Sequence, residues 1–142
     1  MSNRPTYEEL EQSVLQLKKD AIKRKATEAE LIESRERLDL ALKSTELGIW
    51  EYDIIRDKWL FDDLSVEFFG SYPQNDSEFN LLIHPDDIVQ YYKDWKTVKK
   101  GENATIVSEY RLKSKSGHYR WLLEKGKVVE WDSNKKPIRA IG

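Results

Sequence analysis

Residues 105–141 run TIVSEYRLKSKSGHYRWLLEKGKVVEWDSNKKPIRAI and carry the architecture of the body they belong to. Three stretches rich in β-branched and aromatic residues, Thr105 to Lys113, Tyr119 to Glu130 and Lys136 to Ile141, are parted by Ser116-Gly117 and by Asp132-Ser133-Asn134. Stretches of that composition between such punctuation predict strands joined by tight turns, and therefore three consecutive antiparallel strands. Alternation within the second stretch sets Tyr119, Trp121 and Leu123 on one side and Leu122 on the other. Both faces of the sheet thus carry apolar groups, and the outer face calls for a cover, either a helix or a second subunit.

Upstream, His84-Pro85-Asp86-Asp87 predicts a helix start, with proline at the first helical position and two acids at the positive end of the helix. Ile88, Tyr92, Trp95 and Lys99 follow at helical spacing with Tyr91 and Val98 alongside, so an amphipathic helix is expected to Lys100, closed by Gly101. Earlier still, Ile49 to Ile54 and Lys58 to Phe61 flank Arg56-Asp57 as a hairpin. Asp62 or Asp63 can cap a short helix whose apolar side is Val66, Phe68 and Phe69, and Gly70 ends it. Ser71 to Asn80 is polar loop with room for one helical turn. The predicted order is strand, strand, short helices, long helix, strand, strand, strand.

Composition changes abruptly at Gly48. All five tryptophans and all six glycines lie from Gly48 onward, so a different kind of structure precedes it. Residues of low helix cost dominate there, and Thr6 with Glu9 forms a capping box after Pro5, predicting a helix from near Tyr7 with its stop at Gly48. About 40 residues at 1.5 Å each make a rod of roughly 60 Å. Leu10, Leu17, Leu31 and Leu38 share one heptad position, and Tyr7, Val14, Ala21 and Leu42 share the neighbouring one, which predicts a coiled coil. Arg24, Glu28 and Arg35 interrupt the seam in the middle. The dimer seam candidates are Leu10, Val14, Leu17, Leu31, Leu38 and Leu42. The alternative to a parallel dimer is a single helix folded back on its own domain. The expected division is residues 1–46 as helix and 47–142 as a globular domain.

The chain has 142 residues, which suits one domain and an extension. With 35% charged residues and a formal net charge of −2, no nucleic-acid surface and no membrane span are expected. No basic-then-apolar leader opens the chain, and cysteine is absent, so a cytoplasmic location is expected. Lack of cysteine also removes thiol catalysis and thiolate metal sites. A metal site would need both His84 and His118 together with carboxylates, and none is expected. Asp62-Asp63 and Asp86-Asp87 are read as helix caps rather than paired catalytic acids. His84, held before a proline at a helix boundary, lacks the exposed mid-helix setting of a phosphoacceptor. No phosphate loop or nucleophile elbow occurs, and no enzyme activity is expected of this chain.

The residues resemble the PAS family, the fold-3-like PAS/PAC sensory box of cytoplasmic sensor kinases. The resemblance rests on Arg37-Leu38-Asp39-Leu40-Ala41-Leu42, Leu47-Gly48-Ile49-Trp50-Glu51-Tyr52-Asp53, His84-Pro85-Asp86-Asp87, Glu109-Tyr110-Arg111-Leu112, Gly117-His118-Tyr119-Arg120-Trp121-Leu122 and Pro137-Ile138-Arg139-Ala140-Ile141-Gly142, and so covers residues 37–142. It implies an α+β fold, a five-stranded antiparallel sheet with helices on one face, preceded here by the long helix. It implies a sensory input and dimerisation module of a signal-transduction protein, above all a sensor histidine kinase of a two-component system. The alternatives are a ligand-free structural dimerisation spacer and the input module of a diguanylate cyclase. The family pattern runs on past Gly142 into an output helix, so the resemblance places the output region outside this chain. The implied partners are a second copy of the chain, through the N-terminal helix and the sheet face, and a small-molecule ligand.

A small cavity between sheet and helices holds the ligand in such proteins, and the resemblance offers Trp50, Tyr52, Phe69, Ile83, Tyr110 and Trp121 as its lining. Cysteinyl-flavin photochemistry and a thioester-linked chromophore both require cysteine and are excluded. Haem-binding members use a histidine on or near the long helix, whereas His84 precedes that helix and His118 sits at a hairpin turn, so haem is not expected. Noncovalent flavin, a small carboxylate or aromatic metabolite, and no ligand at all stay open.

Overall fold

The computed structural model describes residues 4–142, which form two compact units dividing between Thr45 and Glu46. The first is a single helix, α1 (Tyr7–Thr45), of 39 residues. Its start is the expected capping box: the Thr6 amide donates to Glu9 Oε2 at 2.7 Å, and the Glu9 amide to Thr6 Oγ1 at 3.3 Å. No residue of α1 is buried. Gly48 does not stop this helix. The Thr45 hydroxyl donates back to the Ala41 and Leu42 carbonyls, and Glu46 turns into the left-handed region at φ 54°. No helix among the described residues is long and apolar enough to cross a membrane.

The second unit runs β1 (Trp50–Asp53), β2 (Lys58–Phe61), α2 (Asp63–Phe69), α3 (Asp76–Asn80), α4 (Ile88–Lys99), β3 (Thr105–Lys113), β4 (Tyr119–Trp131) and β5 (Pro137–Ile141). The sheet order is β2-β1-β5-β4-β3 and every pairing is antiparallel. Chain neighbours β1 and β2 pair through the Arg56-Asp57 turn, with Asp57 at φ 51°. The last strand inserts between β1 and β4, so the first hairpin and the last three strands become one sheet. This is the expected five-stranded antiparallel sheet with helices packed on one face.

Local chemistry sets the helices. Asp62 caps α2 by accepting from the Ser65 amide at 3.0 Å, and Gly70 ends it at φ 68°. Gly48 serves this helix instead of α1, since a Cβ there would lie 2.3 Å from Ser65 Oγ. The loop expected at 71–80 tightens into α3, because Asn75 caps it by accepting from the Glu78 amide at 3.0 Å. Pro85 is not the first residue of α4. Residues 85–87 form a turn and the helix begins at Ile88, with no side-chain cap from Asp87. The buried stripe of α4 is Tyr91, Trp95 and Val98, while Tyr92, expected on it, is half exposed and accepts from Asn80 Nδ2.

Loop backbone and side chains bond to part of each sheet edge, which shields those stretches from pairing with another chain. On β2, the Trp59 amide donates to the Gln74 carbonyl at 2.9 Å and the Phe61 amide to the Tyr72 hydroxyl at 3.1 Å. On β3, Lys113 donates to Leu82 at 2.8 Å and His84 to Arg111 at 2.9 Å, with Ile83 bridging Leu112.

Gly126 of β4 sits where backbones and an indole crowd together. An added Cβ would meet Trp50 Cζ2 at 2.5 Å and the Ile141 carbonyl oxygen at 2.6 Å. Gly126→Ala is expected to destabilise the domain by about 1–3 kcal/mol through overpacking. Urea unfolding with a lower midpoint at unchanged slope is the expected result.

Candidate functional site

Strand alternation builds the inner face. β3 buries Ile106, Ser108, Tyr110 and Leu112, every second residue, and β4 contributes Glu124 and Val128 beside half-buried Leu122. Tyr52 of β1, Trp59 of β2 and Ala140 of β5 complete it, with Phe79 of α3 and the stripe of α4 laid across. The rings pack directly on one another. Tyr52 stacks on Trp59 at 4.2 Å between centroids, Trp59 on Phe79 at 5.2 Å, and Trp95 meets Trp50, Tyr52 and Trp59 edge-on at 5.5–5.6 Å. Tyr91 meets Tyr110 edge-on at 4.9 Å. Such pairs contribute about 0.5–1.5 kcal/mol each beyond the area they bury.

Two polar groups are set into this aromatic layer. At one end, Asp76 of α3 accepts from the Trp59 indole at 3.1 Å and pairs with Lys99 of α4, whose ammonium lies 5.2 Å from the Tyr52 ring centre. The Tyr52 hydroxyl donates to Asp57 Oδ1 at 2.8 Å, and burial together with Asp76 and Asp57 pushes its pKa well up. Toward the middle, Glu124 is 6% exposed and accepts from the Tyr110 hydroxyl at 3.0 Å. Burial pushes its carboxyl up to about 7 against the bond from Tyr110, with Asp76 and Asp94 adding repulsion. Trp95 Nε1 is close enough to favour the charged form yet falls short of hydrogen-bond geometry, and it stays unpartnered, as does the Tyr91 hydroxyl.

Of the six residues proposed as a ligand lining, five adjoin this layer. Tyr52, Ile83 and Tyr110 are buried, and Trp50 and Phe69 are half-buried against them. Trp121 does not join them. It stands 67% exposed on the opposite face, with the Arg111 guanidinium 5.1 Å from its ring centre, because residue 121 differs in parity from 122 and 124. Trp59, Tyr91 and Trp95, not among the six, also belong to the inner layer, and Phe79 and Glu124 are the buried residues that the sequence reading did not single out. The alternation of Leu122, Glu124 and Val128 was the signal that could have placed Glu124 inside.

His84-Pro85-Asp86-Asp87 serves a different purpose from the helix cap expected of it. Asp87 accepts from Arg111 Nε at 2.8 Å, Nη2 at 2.9 Å and the Arg111 amide at 2.9 Å, a two-pronged clamp across the edge of the sheet. Those bonds hold its carboxyl down to about 2. His84 Nδ1 accepts from the Asp86 amide at 3.1 Å, and its ring lies edge-on to Tyr119 at 4.6 Å. Among the described residues no three His, Asp or Glu side chains gather as a metal-binding group.

Comparison with known proteins bears on this geometry. The sequence model of the family described as PAS fold matches residues 69–142, a little over half of the chain. No curated protein matches it. Among solved structures, a sensory box histidine kinase/response regulator from Burkholderia thailandensis superposes with a TM-score of 0.60 at 24% identity, over 75% of this chain and 80% of that one. The N-terminal domain of a diguanylate cyclase with PAS/PAC sensor from Marinobacter aquaeolei gives 0.55 at 20% identity, over 67% and 89%. The PAS domain of a protein from Colwellia psychrerythraea gives 0.55 at 16%, over 78% and 92%. At these identities the likeness is one of fold.

Glu124 has a thermodynamic consequence. Its folded pKa of about 7 exceeds the ordinary 4.5, so the folded state binds the proton more tightly and stability falls as pH rises between those values. The loss amounts to about 3 kcal/mol, complete above pH 7. Asp87 contributes in the opposite sense and in a separate window, between its ordinary 3.8 and about 2, where its stabilisation is lost on acidification. Urea unfolding across pH 4.5–8 is expected to show the decline in the wild-type chain and a flatter profile in Glu124→Gln. Parallel profiles for the two proteins would exclude Glu124 as its source.

Proposed function

Because the chain belongs to the PAS fold family, we propose that it is the sensory input and dimerisation module of a signal-transduction protein, with a sensor histidine kinase as its context. The observation that carries the reading is α1. A helix of 39 residues with no buried side chain leaves Leu10, Val14, Leu17, Leu31 and Leu38 each about half or more exposed. Helices in proteins draw most of their stability from packing an apolar face, so this seam supports a partner helix, and Leu42 extends it. The outer face of the sheet supports a second contact between copies, since Val107, Trp121 and Leu123 are each more than half exposed there. In this reading a small molecule, or a packing change on the inner face, biases two arrangements of the dimer by its differential affinity for them. The fold is shared with a diguanylate cyclase sensor as well, and that output is the alternative context.

A second reading, a dimerisation spacer without ligand, is favoured by the direct stacking of Tyr52, Trp59, Phe79 and Trp95 along the inner face. Native mass spectrometry of the purified chain separates the two. A retained small molecule supports sensing, and a bare dimer that no compound stabilises in a thermal-shift screen supports the spacer. For the seam, Leu17→Glu and Leu38→Glu are each expected to weaken self-association at least about tenfold, roughly 1.4 kcal/mol. Sedimentation showing an unchanged dimer for both variants would remove the coiled coil.

A further inference from the structure

The inner face holds an acid with no base to meet it. Glu124 stands on β4 opposite Ser108 of β3. The groups that influence it are Tyr110 from β3, Asp76 from α3, and Asp94 and Trp95 from α4. Tyr91, also on α4, is coupled to the same carboxyl. Asp94 is engaged with the Ser108 hydroxyl at 2.7 Å and Asp76 with Lys99. Among the described residues no Lys, Arg or His forms an ion pair with Glu124.

Its hydrogen bonding is equally one-sided. Glu124 Oε2 accepts from the Tyr110 hydroxyl, the one protein hydrogen bond to this carboxyl among the described residues. On α4, one turn apart and facing the same way, the Tyr91 hydroxyl and Trp95 Nε1 are buried without partners. A carboxyl with a single protein donor therefore lies within electrostatic reach of two buried donors that lack an acceptor, and each of those unanswered donors costs about 1–3 kcal/mol.

We propose that Glu124 is a proton-operated latch between α4 and the sheet: neutral, it is held by Tyr110 alone, and on losing its proton it draws the Trp95 indole N–H and the Tyr91 hydroxyl into hydrogen bonds that re-seat α4 on β4. Bonds to a charged acceptor are about twice as strong as neutral ones, so the pull of both donors grows when the charge appears. Burial and the neighbouring Asp76 and Asp94 oppose that charge and set the balance near neutral pH. The latch lies wholly within the globular unit and does not depend on dimerisation or on a ligand.

The experiment is an NMR pH titration of the full chain from pH 5 to 8.5, following the Glu124 side-chain carboxyl carbon and the Trp95 indole N–H, the latter assigned with Trp95→Phe. Glu124 is expected to titrate near pH 7, with the indole proton moving downfield at the same midpoint. Glu124→Gln is expected to leave the indole unmoved over that range. A Glu124 carboxyl that titrates in the ordinary 4–5 range overturns the latch, and so does an indole signal that stays flat through the Glu124 transition. Should Glu124→Gln fail to fold, the two wild-type titrations decide the matter.

Discussion

Burying the Trp59 indole among Tyr52, Phe61, Phe79 and Trp95 requires that its single N–H be answered inside the domain, and Asp76 answers it. That bond fixes more than one side chain. Asp76 opens α3, its amide donates to Asp57 in the β1–β2 turn, and its other oxygen takes Lys99 from the end of α4. The hairpin, the short helix and the long helix are thereby tied at one carboxylate, and the aromatic layer follows from the spacing this sets. Without the acid, a buried donor would be left unpaired at a cost of about 1–3 kcal/mol.

The opposite edge of the sheet uses the same economy. Asp87 clamps Arg111 and so ties the entry of α4 to β3, while Arg111 lies over Trp121 on the outer face. Chemistry that the sequence suggested for a helix dipole is spent on register between helix and sheet. The fork of a guanidinium on a carboxylate is directional and gives geometry as well as attraction. Between these two ties, Glu124 is buried on the inner face and, among the described residues, forms no ion pair.

The two units expose apolar side chains on surfaces of different kinds. α1 exposes its leucines along one long helix, and the sheet exposes aromatic and aliphatic side chains on its outer face. The inner face is densely filled with stacked and edge-on rings, so in the proposed switch the change of state falls to a polar group set among them, Glu124. Proton gain or loss at a buried carboxyl changes a local charge by one unit in a low-dielectric setting, where it weighs most.

Much of this was legible in the chain itself. Turn residues and alternation located five strands, Thr6 and Glu9 located the start of α1, and Gly70 and Gly101 marked helix ends, because such signals act within a few residues. The parity of β4 told that Tyr119, Trp121 and Leu123 share a face, and on that parity Trp121 could not line the inner layer. Beyond that reach lay the Trp59–Asp76 bond, the Asp87–Arg111 clamp, the left-handed stop at Glu46 and the isolation of Glu124. Local sequence sets the period of an element and hence which residues share a side. Which distant groups then meet is set by the strand order β2-β1-β5-β4-β3, a property of the assembled sheet that no short stretch contains.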